Sequence, residues 1–242
     1  MDKYRSLQQQ AFEANLELPD KGLVIETFGN VSAFDKDSGV FAIKPSGVPY
    51  PELIPENMVV LDLDNRIVSG KLKPSSDTPT HMELYRHFGN IGGICHTHSS
   101  YATAWAQAGK SIPVMGTTHA DLVKGDIPCT AVISNKQIEK QYEVETGKLI
   151  VDTFTDISPA DTPMVLVARH GPFTWGKSAK EAVYHSVMLE ELARIAFYTL
   201  QINPRTRRLK TSLIEKHFQR KHGPDAYYGQ DDAIEENKKD EK

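Results

Sequence analysis

The 242-residue sequence is short of several things, and each shortage excludes a class of protein. Cysteine occurs only at Cys95 and Cys129. They could form one disulfide at most, and a chain long enough to bury a full hydrophobic core does not need it, so both thiols are expected to be reduced. No apolar run comes near the ~20 residues that cross a bilayer, and the opening MDKYRSLQQQ has no apolar signal core. The expectation is a soluble cytoplasmic protein. Positive charge is not in excess either: a formal net charge of −4 gives no basis for a long nucleic-acid footprint or for attraction to an anionic membrane. Part of that charge sits in residues 231–242, DDAIEENKKDEK, where six acids face three lysines and leave the body at only −1. With almost nothing apolar to bury, this segment reads as a solvated tail, and residues 1–230 read as one domain.

What is present is a body with apolar residues throughout, 39% of the chain, and no internal repeat. Leu7, Ala11, Ala14 and Leu18 fall on one helical stripe that is expected to end before Pro19. The stretches LVIETFGNVSAFD, GVFAIKPSG and MVVLDLDNRIVSG are β-branched and separated by turn residues, as in hairpins. THMELYRHF reads as a helix, GGICHTHS as a strand and SYATAWAQAG as a helix closed by Gly109. A short helix near QIEKQYEVETG, strands at KLIVDTF and PMVLVARHG, and a long helix from about Ser178 that must stop at Pro204 complete the pattern. Strands grouped by hairpin-length links, with helices between groups, predict an α/β sandwich around a mainly antiparallel sheet.

The nine histidines are more informative. On a strand, His96 and His98 of Ile94-Cys95-His96-Thr97-His98 project to one side, near enough to share an ion, while Cys95 points into the core. His170 ends an apolar strand and precedes Gly-Pro, where a sheet gives way to a loop. Three neutral imidazoles with an open position suit Zn²⁺ as a Lewis acid, or another divalent transition metal. KPSGV (44–48) and KPSSDTPTH (73–81) each join a lysine to Pro-Ser at a strand end, offering hydroxyls and free backbone N–H groups to an anion. The second also opens a helix, whose N-terminus favours phosphate. Gly29-Asn30 interrupts a β-branched stretch, which suggests a bulge or a close backbone approach to a ligand.

GNVS (29–32), IKPSG (43–47), PSSDTPTH (74–81), HTHS (96–99), GTTHAD (116–121), HGPFTWG (170–176) and KHGPDAYYGQ (221–230) together resemble the class II aldolase/adducin family. PSSDTPTH with GTTHAD and the AYYGQ ending points to its sugar-phosphate 4-epimerase branch. The resemblance implies a three-layer α/β/α sandwich with a central, mostly antiparallel sheet. It implies His96, His98 and His170 as zinc ligands, with Asp77 at or beside the metal. Asn30, Ser46, Gly47, Ser75 and Ser76 would surround a substrate phosphate, with Lys44 also at the substrate. Asp121 and Tyr228 would be an acid/base pair, and Thr117, His217 and Arg220 would lie close to the substrate. It further implies a homotetramer with sites formed between subunits.

The implied activity interconverts L-ribulose 5-phosphate and D-xylulose 5-phosphate. C4 is not adjacent to the carbonyl and its hydrogen is not acidic, so inversion needs retro-aldol cleavage of C3–C4, rotation of the aldehyde and re-addition. That route needs a Lewis acid for the enediolate, an anchored phosphate, and one proton-handling group on each face of C4. Two other members of the family are weighed against it. One is an aldolase of the L-fuculose 1-phosphate type, in which a glutamate takes the position of Asp77; the other is a non-catalytic adducin-like module, expected to lack the metal ligands. The epimerisation serves arabinose use and also ascorbate or gulonate use, and the sequence does not choose among them.

Overall fold

A computed structural model describes residues 3–224 and 226–227; Tyr228 and the acidic segment 231–242 lie outside the described residues. Helix α1 (Arg5–Asp20) is followed by strands β1 (Asn30–Asp35), β2 (Val40–Ile43), β3 (Val59–Asp62) and β4 (Ile67–Ser69). Then come α2 (Thr78–His87), β5 (Gly93–His96), α3 (Ser100–Ala108), α4 (Thr117–Ala120), α5 (Asn135–Ile138) and α6 (Tyr142–Thr153). The described part ends with β6 (Met164–Leu166), β7 (Pro172–Gly176), α7 (Ala179–Ile202) and α8 (Thr211–His222). The strands form one sheet in the order β4-β3-β2-β1-β5-β7-β6, antiparallel at every pairing.

Strand alternation builds two cores from this sheet. Val31, Ala33, Val40, Ala42, Val60 and Cys95 face one way and pack on α1 and α7. Phe41, Ile43, Val59, Leu61, Ile94, Phe173 and Trp175 face the other way, against Met82, Leu84 and Tyr85 of α2 and Ile150 of α6. Helices thus cover both faces, giving the three-layer α/β/α arrangement. Both cysteines are free, and burial in the first core pushes the Cys95 thiol up to about 12. Among the described residues no helix is long and apolar enough to cross a membrane.

Several local expectations are corrected. KLIVDTF is not a strand: it belongs to α6, where Ile150 and Phe154, four residues apart, pack under α2. The single short helix expected before it is two helices, the first held by a capping box from Ser134 to Gln137. Helix α1 continues through Pro19 to Asp20, because a proline in the last turn gives up only one intrahelical bond. Residues 23–29 are irregular, with Glu26 at φ 53° and Gly29 at φ 85°. A Cβ on Gly29 would lie 2.7 Å from Val24 Cγ1 and 3.0 Å from the His96 carbonyl oxygen, so the close approach there is to the end of β5. Strand β5 also ends at His96, and β6 ends at Leu166, so His98 and His170 stand on loops beyond the sheet.

The other end of β5 is equally tight. A Cβ on Gly93 would lie 2.3 Å from the backbone N and 2.4 Å from the Cα of Ala179, at the start of α7. Neither backbone can yield, so Gly93→Ala is expected to cost about 3 kcal/mol. Thermal unfolding should report this as a fall in melting temperature of roughly 10 °C; an unchanged midpoint would contradict the packing.

Candidate active site

The loops at the His96 end of β5 enclose a cavity of about 420 Å³. His96 is the last residue of its strand, paired across β1 with Asn30 and across β7 with Phe173, and its ring stacks on Phe173 at 4.1 Å. Its Nδ1 lies 2.9 Å from the Pro172 carbonyl oxygen. A carbonyl only accepts, so Nδ1 carries a proton, which leaves Nε2 as the nitrogen that can offer a lone pair. His98 Nε2 lies 3.2 Å from that nitrogen. His170 closes the triangle on a turn in which its N–H reaches the Val167 carbonyl and Arg169 adopts φ 66°. Its Nδ1 stands 3.3 Å from Tyr142 Oη.

One nitrogen from each of the three rings lies within 4.8 Å of the others. Burial pushes His170 down to about 3 and lowers His98 as well, so both are neutral near pH 7. Converging lone pairs on neutral imidazoles repel one another unless a cation sits between them, and the donor set fits a divalent transition metal. Asp77 lies beside the cluster, its Oδ2 4.0 Å from His96 Nε2 and accepting a 2.7 Å bond from Asn30 Nδ2. Burial works to raise its carboxyl, but His96, His81 and the Asn30 bond outweigh that and hold it below the usual carboxylate range.

The facing wall consists of the two Lys-Pro-Ser loops, zipped together by backbone. Ser46 N–H donates to the Lys73 carbonyl at 2.9 Å and Ser75 N–H to the Lys44 carbonyl at 3.0 Å. These two donors are therefore spent inside the protein, contrary to the expectation that the loops leave them free. The Gly47 and Ser76 N–H groups make no protein bond among the described residues, and with the serine hydroxyls they remain for an anion. Lys44 is 2% exposed, its Nζ 4.9 Å over the Tyr50 ring and 3.5 Å from the carbonyls of Thr27 and Pro45. Burial lowers it to about 8, since no carboxylate is bonded to its ammonium to offset the lost hydration. An anion in the cavity would supply that missing counter-charge.

Of the residues named from sequence, Asn30, Lys44, Ser46, Gly47, Ser75, Ser76, Asp77, His96, His98 and His170 line this one cavity. Thr117, Asp121, His217 and Arg220 do not line it; they gather where α4 meets α8. There Arg220 grips Asp121 through two bonds, of 2.9 and 2.6 Å, and His217 Nδ1 lies 2.8 Å from the same carboxylate. Burial opposes the charge, but Arg220 and His217 hold the Asp121 carboxyl below its ordinary value. Sequence reasoning missed Thr27, Phe28, Tyr142 and Glu143, which also line the cavity. The last two begin α6; their segment reads as a helix, but no motif in it points to the cavity.

Two other histidines are buried and neutral. Burial pushes His81 from 6.5 to about 3 and His119 from 6.5 to about 4. The unfolded chain protonates these rings below 6.5 while the folded chain does not, so their contribution is fully present above 6.5 and is lost as pH falls below it. Each ring should remove about 1.4 kcal/mol of stability per pH unit in that window. Urea midpoints of metal-free protein measured from pH 7.5 down to 5 test this; a constant midpoint would contradict it.

Comparison with known proteins finds a family profile and several similar folds. The profile described as Class II Aldolase and Adducin N-terminal domain matches residues 9–197. An L-fuculose 1-phosphate aldolase structure superposes with a TM-score of 0.76 at 23% identity, covering 89% of this chain and 95% of its own. YgbL from Klebsiella pneumoniae, provisionally described as an aldolase/epimerase/decarboxylase, superposes at 0.69 and 26% identity, covering 87% and 97%. Its Escherichia coli counterpart gives 0.69 and 24%, covering 88% and 97%.

Proposed function

The chain belongs to the class II aldolase and adducin family, and on that premise we propose that it catalyses the 4-epimerisation of L-ribulose 5-phosphate to D-xylulose 5-phosphate by retro-aldol cleavage and re-addition. One observation carries the reading: a three-imidazole cluster faces the Lys44 and serine wall across a single cavity, while Asp77 is drawn back onto Asn30. A carboxylate held in this way is poorly placed to be the base of a sugar 1-phosphate aldolase. It suits a supporting position beside a metal, with proton transfer left to other groups.

Zn²⁺ or a similar divalent ion on His96, His98 and His170 would supply Lewis-acid stabilisation of the negative charge developing on the substrate's oxygens. Lys44, Ser46, Gly47, Ser75 and Ser76 hold the phosphate, so the aldehyde fragment pivots without escaping. The Asn30 amide keeps Asp77 in place beside that ion. Asp121 and Tyr228 exchange the proton of the C4 oxygen on opposite faces, one for each epimer. Arg220 and His217 keep Asp121 anionic and fix its orientation, and Thr117 flanks it. Thr117, Asp121, His217 and Arg220 do not line the histidine cavity, which supports a site completed by a neighbouring subunit of a homotetramer. Two free thiols agree with a cytoplasmic enzyme of pentose use.

The test is an assay of the full chain on L-ribulose 5-phosphate and on L-fuculose 1-phosphate, with and without chelator. D-xylulose 5-phosphate should form, stop forming on chelation and return with zinc. Dihydroxyacetone phosphate accumulating from the second substrate, with no exchange of the pentose epimers, would establish an aldolase instead. Purified protein without stoichiometric metal would favour the non-catalytic module.

A further inference from the structure

One buried ring beside the cluster has an atom that nothing yet explains. His81 is 0% exposed on α2, and its Nδ1 lies 2.7 Å from Ser32 Oγ, which lies 2.6 Å from Tyr85 Oη. The opposite nitrogen, Nε2, has no protein partner. Two proton arrangements are open to this chain of three groups. If His81 donated to Ser32 and Ser32 to Tyr85, the phenol proton would need a further acceptor and the Nε2 lone pair would lack a donor. If Tyr85 donates to Ser32 and Ser32 to Nδ1, both hydroxyls are satisfied and a single unpaired N–H remains on His81.

The second arrangement is also the one the surrounding charge favours. His81 is one helical turn from Asp77, its N–H on the Asp77 carbonyl at 3.1 Å, and each side chain shifts the other's proton affinity through the field between them. A proton on Nε2 therefore sits in the field of an anion. Buried N–H groups in polar surroundings find a carboxylate or an ordered water. We propose that His81 is a positioning residue for Asp77, presenting a fixed, neutral Nε2–H to the carboxylate directly or across one water. The inference rests on the metal-site reading given above. Its physical advantage is that a neutral donor orients the carboxylate without adding a positive charge that would repel a dication; burial, which pushes the ring to about 3, keeps it neutral.

Two substitutions separate the donor from the anchor. The amide of His81→Asn falls near the old Nδ1 and keeps the Ser32 contact but has no group at Nε2. The longer His81→Gln places an amide N–H near Nε2. Zinc affinity of the full chain, by competition with a chromophoric chelator, should fall at least about tenfold in His81→Asn and stay within about threefold in His81→Gln. Melting temperatures of the metal-free variants should be alike. In an Asp77→Asn background the His81→Asn loss should disappear. Nitrogen NMR of the metal-free wild type should place the proton on Nε2, with its shift moving in Asp77→Asn. A proton on Nδ1, an unaltered zinc affinity in His81→Asn, equal losses in both variants that follow their melting temperatures, or a loss that persists without Asp77 would overturn the proposal. Should His81→Asn not fold, His81→Gln and the NMR result decide. Should the wild type take up no zinc, the functional reading fails alone, and the NMR result still decides the role of His81.

Discussion

His98→Asn is expected to abolish turnover and metal binding together while the fold survives. His98 stands beyond the end of β5, half-buried, and belongs to none of the apolar clusters. What it contributes is a nitrogen 3.2 Å from His96 Nε2. Asparagine has no imidazole nitrogen at that reach, so two of three neutral donors remain. Removing even an outer partner of a metal ligand costs roughly 10–100-fold in affinity or activity, and removing the ligand itself should exceed that. Stability of the metal-free chain should move by no more than about 0.5 kcal/mol, because the ring meets only Phe28 and the other two histidines at the cavity among the aromatic rings, away from the apolar cores. Metal content by mass spectrometry, turnover and thermal unfolding of the metal-free protein would be read on one preparation. Turnover retained without stoichiometric metal would contradict the assignment.

The histidine pair was legible in the sequence for a reason that was only partly right. Alternation along a strand placed His96 and His98 together, yet pairing ends at His96 and the loop, not the pleat, brings His98 back. The three-layer sheet was legible because Phe41/Ile43 and Val40/Ala42 alternate cleanly between two apolar cores. The second half of α6 was not, because Leu149-Ile150-Val151 suits a buried strand as well as a helix. Packing of Ile150 and Phe154 beneath α2 settles the choice, and contacts across the chain are invisible to local periodicity. Tyr142 and Glu143 lie in the half that reads as a helix, but no motif there points to the cavity. The zipped Lys-Pro-Ser loops show the same limit: their residue types announce an anion site, but which N–H groups stay free depends on the pairing of Pro45 with Pro74.

Asp121 carries the second large effect. Asp121→Asn keeps the side-chain volume but removes the anion that Arg220 and His217 hold, so a proton acceptor is lost with little change in shape. Turnover should fall about 10²–10⁴-fold with a much smaller change in KM, the pattern of a group acting in the transition state. The cluster's separation from the histidine cavity makes a sharper expectation possible. If one subunit supplies the histidines and its neighbour supplies Asp121, then co-expressing His98→Asn with Asp121→Asn creates sites in which both contributions are intact. Random assembly of equal amounts should restore about a quarter of wild-type turnover from two nearly inactive chains. No recovery in verified mixed assemblies would place the whole site within one chain, and full turnover in Asp121→Asn alone would remove Asp121 from proton transfer.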